Sequence, residues 1–208
     1  MKLKWYGHSC FSLTFADGTV LVTDPFDESV GYPLCTIRAD AVLSSHDHFD
    51  HNHIASIQGD PRMINTPGEH RVGSVKITAT PSFHDPEGGA LRGKNLLMRV
   101  EGDGVTLVHL GDLGHMPNEA QLSAISGADV LLIPIGGHFT IDTPQAVEVI
   151  RMARPKCAIA MHFANQYCHF PVTDEKEFVR LTEAELLPNE IEITPDAALP
   201  KAGVMRYE

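Results

Sequence analysis

Apolar and polar positions alternate in the first third of the chain, which is the signature of half-buried strands. Residues 3–6 and 10–15 alternate in this way, and Ala16-Asp17-Gly18-Thr19 supplies an Asp-Gly hairpin turn into a partner strand at 20–23. Asp24-Pro25 stops that strand, residues 27–39 read as loop, and residues 41–44 return as a short buried strand. A short helix is expected over 52–57. Further strands are expected at 75–79, ending before Pro81, and at 96–100 and 105–110 around the turn Glu101-Gly102-Asp103-Gly104. Residues 84–95, rich in glycine and charge, read as a long loop.

Helix and strand alternate in the last third. Asn118 is placed to cap a helix to about 125, and a strand follows at 130–133. Thr143-Pro144 reads as an N-cap with proline at the first helical position, opening a helix to about 153. A strand at 158–161, a helix at 175–181 and a strand at 191–194 complete the pattern. Hairpins followed by β-α-β units predict a layered α/β protein with mixed sheets. No linker or composition shift divides residues 1–208, so they read as a single domain.

Composition narrows the partners. The chain has 43% apolar residues, enough for a sizeable core, and a formal net charge of −11. An acidic surface without a run of Lys or Arg makes nucleic acid a poor partner. Cys10, Cys35, Cys157 and Cys168 form no CxxC pair. The amino terminus lacks the apolar stretch of a signal peptide, and no window approaches the ~18 apolar residues of a membrane span. These features predict a cytoplasmic protein with no membrane partner and a small-molecule substrate. A homo-oligomer remains open.

The chemistry concentrates in Ser45-His46-Asp47-His48-Phe49-Asp50-His51, directly after the strand at 41–44. Imidazoles and a carboxylate delivered by one strand end suit zinc, manganese or iron. In an extended loop His46 and His48 point to one side, while Asp50 and His51 can face a second centre. Ligand types recur past other apolar runs, at His84, Asp112 and His162. Strand ends on one edge of a layered sheet converge, so these seven residues have a common meeting place. His46, His48 and His84 can hold one ion, and Asp50, His51 and His162 a second. Asp112 would bridge them. Two divalent ions about 3.5–4 Å apart bring a shared water near neutrality and clamp the attacked oxygen, which is a hydrolase's arrangement. Zinc is the first expectation, with manganese and iron as alternatives.

This pattern resembles the metallo-β-lactamase superfamily, whose members share an HxHxDH loop followed by a later His, Asp and His. The resemblance implies a four-layer αββα sandwich of two mixed β-sheets flanked by helices, with a dimetal site along one edge. Trp5-Tyr6-Gly7-His8-Ser9-Cys10-Phe11, His109-Leu110-Gly111-Asp112-Leu113-Gly114-His115 and Pro134-Ile135-Gly136-Gly137-His138-Phe139-Thr140 look like the small metal-dependent hydrolases of that superfamily, a branch similar to the ascorbate-6-phosphate lactonases. By that likeness Asp24 supports the metal loop from behind, and His8 lies near the site as a supporting or substrate-contacting residue. His138 is expected to touch substrate or donate a proton to the leaving group, alongside a catalytic Asp50. Arg92 and Asn95, in the long loop, are expected to read an anionic or carbonyl-bearing substrate, and His115 to orient the Asp112 loop. His53, His70, His109 and His169 receive no role.

The implied activity is hydrolysis of an ester, lactone or phosphodiester in a small, phosphorylated or carboxylated metabolite by a metal-bound hydroxide. A di-iron oxidoreductase is a weaker expectation, because flavodiiron relatives carry Glu at the position of His48 and add a flavin domain. A non-catalytic metal-binding regulator on the same fold conflicts with the complete ligand set.

Overall fold

Period-two alternation in the first strands sends side chains to two faces, and each face meets its own hydrophobic cluster. The computed structural model describes residues 1–207. In it β1 (Lys2–Gly7), β2 (Cys10–Thr14) and β3 (Val20–Thr23) form an antiparallel meander. β4 (Ala41–Leu43) and β5 (Arg62–Ile64) extend it in parallel. Leu3, Phe11, Leu13, Leu21 and Leu43 enter the main core, while Cys10, Val22 and Val42 enter a smaller cluster with Phe26, Val30 and Tyr32. Single-turn 3-10 segments, Glu28–Val30 and Ile54–Ser56, lie in the connections that contribute to this outer cluster. The expected helix at 52–57 is only the second of these turns. His53 provides no side-chain cap and Ile57 is already extended, so nothing nucleates a longer helix.

The chain continues through β6 (Gly68–Val72), β7 (Val75–Phe83), β8 (Lys94–Gly102) and β9 (Val105–His109), an antiparallel series. Then come α1 (Glu119–Ile125), β10 (Val130–Pro134), α2 (Thr143–Ala153), β11 (Cys157–Met161) and α3 (Lys176–Thr182). β12 (Glu185–Leu187), β13 (Glu190–Glu192) and β14 (Ala202–Met205) close the chain. The first sheet has the order β13-β1-β2-β3-β4-β5 and the second β12-β14-β11-β10-β9-β8-β7-β6. Every residue of β10 and β11 is buried, as parallel strands covered on both faces require. Two mixed sheets with few helices form the expected α/β sandwich, and the helices contact one another and β7, β8 and β14 of the second sheet. Among the described residues no helix is long and apolar enough to cross a membrane.

Several boundaries differ from those the pattern predicts. β7 runs through Pro81 to Phe83, because β6 pairs only as far as Ala79 and leaves the proline on an unpaired edge. The cap of α2 is Asp142 rather than Thr143: its carboxylate accepts from Gln145 N, and the Gln145 side chain returns to the Asp142 backbone. The expected long loop ends at Gly93, since Lys94 and Asn95 already belong to β8.

Candidate metal centre

The carboxyl ends of β3, β4, β7, β9, β10 and β11 open onto one edge. β3 and β4 are parallel in the first sheet, and β9, β10 and β11 in the second. β8 runs antiparallel to both β7 and β9, so β7 ends on the same side as β9. Asp24 follows β3, the His46–His51 stretch follows β4, and His84, Asp112 and His162 follow β7, β9 and β11. Bonds between the two halves pin this edge: Leu96 N donates to Ser45 O at 2.9 Å, and His109 Nε2 to Ser9 O at 2.9 Å. His8, Asp24 and His162 all have positive φ, at 50°, 39° and 54°. Backbone strain therefore concentrates where the chain turns to present these side chains.

The candidate ligands fall into overlapping groups. His46, His48 and His84 offer ring nitrogens within 4.8 Å of one another, and so do ligand atoms of His8, Asp50, His51 and His162. His46, His51 and Asp112 form a third group that joins the other two. Asp112 Oδ2 lies 3.1 Å from both His84 Nε2 and His162 Nε2, and its Oδ1 lies 3.3 Å from His51 Nε2. His46 Nε2, His51 Nε2 and Asp112 Oδ1 are buried yet have no hydrogen-bond partner. Buried polar atoms are normally satisfied. Two nitrogens and one carboxylate oxygen left bare and facing one another are what a cation would complete, so the donor set fits divalent metal.

The charges hold His46 neutral and Asp112 ionised, the forms that bind a cation. Burial, with the neighbouring His51, holds the His46 pKa well below the usual histidine range. Burial acts in the same direction on His51, but the carboxylates of Asp112, Asp50 and Asp24 outweigh it and raise the pKa. For Asp112 burial favours the neutral acid, yet His162 and His51 hold the carboxyl well below its ordinary value.

Supporting contacts fix the ligand orientations. Asp24 is fully buried and accepts from Ser45 N, Ser45 Oγ and His51 Nδ1 at 2.7, 2.7 and 2.8 Å. A carboxylate at Nδ1 fixes a proton there, so Nε2 of His51 is the atom that would give up its proton to a metal. Phe139 O accepts from His84 Nδ1 at 3.0 Å, which does the same for His84. His8 is buried, with Nε2 3.3 Å from Asp50 Oδ2 and its ring 4.2 Å from that of His162. It is placed to hold Asp50 rather than to meet substrate.

Other expected site residues sit differently. Asn95 is fully buried: its Nδ2 donates to Ser82 Oγ and Leu110 O, and its Oδ1 accepts from Asp112 N at 3.0 Å. It holds the Asp112 turn and has no group left for substrate. His138 is exposed, turned outward by a φ of 37°, with its ring edge-on to Phe139. Phe139, not His138, lines the cavity above the ligands. His115 accepts from Phe83 N and bonds Met116 O, so it ties the Asp112 loop to the end of β7 without touching a ligand. Arg92 lines the cavity.

Two residues with no expected role also matter. Asp85 accepts from the backbone N–H groups of Glu87, Gly89, Leu91 and Arg92, making the 84–93 segment an ordered turn. His109 accepts from Gly111 N at 3.0 Å and steadies the Asp112 turn. An Asp followed by Pro86 and a Gly pair signals the first; no sequence signal marks the second.

Residues 2–162 match the family described as the Beta-lactamase superfamily domain. A UPF0173 metal-dependent hydrolase of Staphylothermus marinus is 29% identical over 222 residues, covering 88% of this chain and 91% of that protein. A crystal structure from Thermotoga maritima, described as that of a candidate Zn-dependent hydrolase of the metallo-beta-lactamase superfamily, superposes with a TM-score of 0.83 at 36% identity. That superposition covers 98% of this chain and 97% of the other. A metallo hydrolase from Ignicoccus hospitalis shares the fold, with a TM-score of 0.65 at 24% identity over 88% of this chain and 90% of its own.

Proposed function

The chain belongs to the beta-lactamase superfamily and is a metal-dependent hydrolase, and from that premise we propose that it uses two divalent ions to cleave an ester, lactone or phosphodiester bond in a small anionic metabolite. The observation that carries this reading is the set of bare, buried donor atoms on His46, His51 and Asp112, lying between two further groups of ligands. His46, His48 and His84 would hold one ion, Asp50, His51 and His162 the other, with Asp112 shared. A donor set dominated by imidazole favours zinc, with manganese and iron as alternatives. When bound, the pair supplies an acidified water and Lewis-acid stabilisation of the attacked oxygen.

The chain's own residues supply orientation. Asp24 and the Phe139 carbonyl fix two imidazoles in the tautomer that presents Nε2. Asn95 holds the backbone of Asp112. Asp50 lines the cavity and is held by His8, and in this reading it would take a proton from the attacking water. Arg92, at the cavity wall, offers a positive charge to an anionic substrate on a protein whose net charge is −11.

The test is turnover by metal-loaded protein on panels of aryl esters, lactones and phosphodiesters. Activity that disappears on chelation and returns with metal is expected. A loaded protein that turns over none of the three classes contradicts the reading.

A further inference from the structure

The cavity above the ligands is apolar to a degree that metal binding does not explain. It measures about 500 Å³, the size of a small-ligand site. Phe49, Phe139, Phe170 and Pro171 form its walls. Phe49 stands between His48 and Asp50 and is 52% exposed. Its ring meets that of Phe170 at 6.3 Å and 77°, an edge-to-face pair. Burial alone does not account for a large exposed phenylalanine in the ligand loop, and apolar patches of this kind mark binding sites.

Arg92 is the arginine among these walls, whose other charged side chains are the carboxylates Asp47, Asp50 and Asp112. The Arg92 guanidinium sits 5.7 Å from the centroid of the Phe139 ring, a contact that limits its swing. Its backbone N–H is bonded to Asp85 at 2.7 Å, so the loop beneath it is also held. Among the described residues it has no carboxylate partner at ion-pairing distance. It also lines the neighbouring cavity of about 690 Å³, together with Asp47 and His48.

We infer that the substrate is an aromatic or similarly flat apolar compound that carries, apart from the bond to be cut, a separate carboxylate or phosphate recognised by Arg92. The inference rests on the hydrolase reading for the bond cut, but the walls and the cation are features of the cavity itself. Edge-to-face rings bind flat apolar groups well, and an unpaired guanidinium is matched to a planar or tetrahedral anion.

The experiment is calorimetric titration of the metal-loaded protein with methylphosphonate, phenylphosphonate and 4-carboxyphenylphosphonate. The phosphonate group is common to all three, so affinity ratios isolate the cavity. Phenylphosphonate is expected to bind about 30-fold more tightly than methylphosphonate, from burial of one ring. Phe49→Ala and Phe170→Ala should each remove much of that ratio. The added carboxylate should gain about ten-fold in wild type and nothing in Arg92→Gln. Equal affinity for methyl and phenyl probes, or a carboxylate gain that survives Arg92→Gln, would overturn the inference. An aryl preference in a protein that hydrolyses nothing would sink the hydrolase reading alone, and turnover without an aryl preference would sink only this one.

Discussion

Replacing Asp24 by Asn leaves the number of heavy atoms unchanged and alters the volume little, yet it should cripple one half of the metal centre. The side chain is fully buried and all its hydrogen bonds come from donors: Ser45 N at Oδ1, and Ser45 Oγ and His51 Nδ1 at Oδ2. Burial favours the neutral acid, but the adjacent His51 holds the pKa below the ordinary carboxylate value, so Asp24 is charged. An amide has only one accepting end. With its NH2 toward Ser45 N, two donors face each other. With its NH2 toward His51, the ring must accept at Nδ1 and carry its proton on Nε2, the atom needed for metal. Either orientation forfeits a charge-assisted bond, worth about 1.5–3 kcal/mol. Loss of such an outer partner typically lowers metal affinity about 10–100-fold, or roughly 1.4–2.7 kcal/mol, so the two estimates agree. The backbone should not object, because Asn tolerates the positive φ of 39° found here. Chelator competition on Asp24→Asn should therefore show one ion bound about 10–100-fold more weakly. The metal-free protein should melt roughly 3–12 °C lower. Two ions bound with wild-type affinity would refute the tautomer argument.

Asn95→Ala should leave the N–H of Asp112 and the carbonyl of Leu110 without their buried partner. A stability loss on the order of 3–5 kcal/mol is expected from the denaturation midpoint, together with reduced metal content; a loss below ~1 kcal/mol would contradict the assigned bonds. His109 accepts from Gly111 N at Nδ1 and donates to Ser9 O from Nε2, and burial lowers its pKa. As pH falls below about 6.5 the unfolded chain takes up a proton that folded His109 refuses. This group's contribution is thus complete above that pH and is lost as pH falls toward the depressed folded value. Imidazole nitrogen shifts should show the His109 ring less than half charged at pH 6.5, with the neutral form protonated on Nε2, and a ring more than half charged there would contradict the assignment.

What the sequence made legible was local. The spacing of His46, His48, Asp50 and His51 needs one strand end, and the apolar runs before His84, Asp112 and His162 identify further ends on the same edge. The structure brings these residues together. Errors arose where one residue's direction depends on tertiary contacts. Asn95 follows Gly93 and Lys94 and looks like loop, but its pairing with Ser82 draws it into β8 and under Asp112. In Gly136-Gly137-His138-Phe139 the turn exposes the histidine and points the phenylalanine to the cavity. β6 escaped because an edge strand reading Gly-Glu-His-Arg-Val has no buried face. β5 and β12 have three residues each, too few to show a period.

Metal stoichiometry is the most direct test of the central claim. Elemental analysis of purified, reloaded protein should give about two equivalents per chain, falling sharply in Asp112→Ala, because that carboxylate faces both groups of ligands. Fewer than one equivalent in the reloaded wild type, or two equivalents retained without Asp112, would contradict a shared dinuclear centre and the hydrolytic reading built on it.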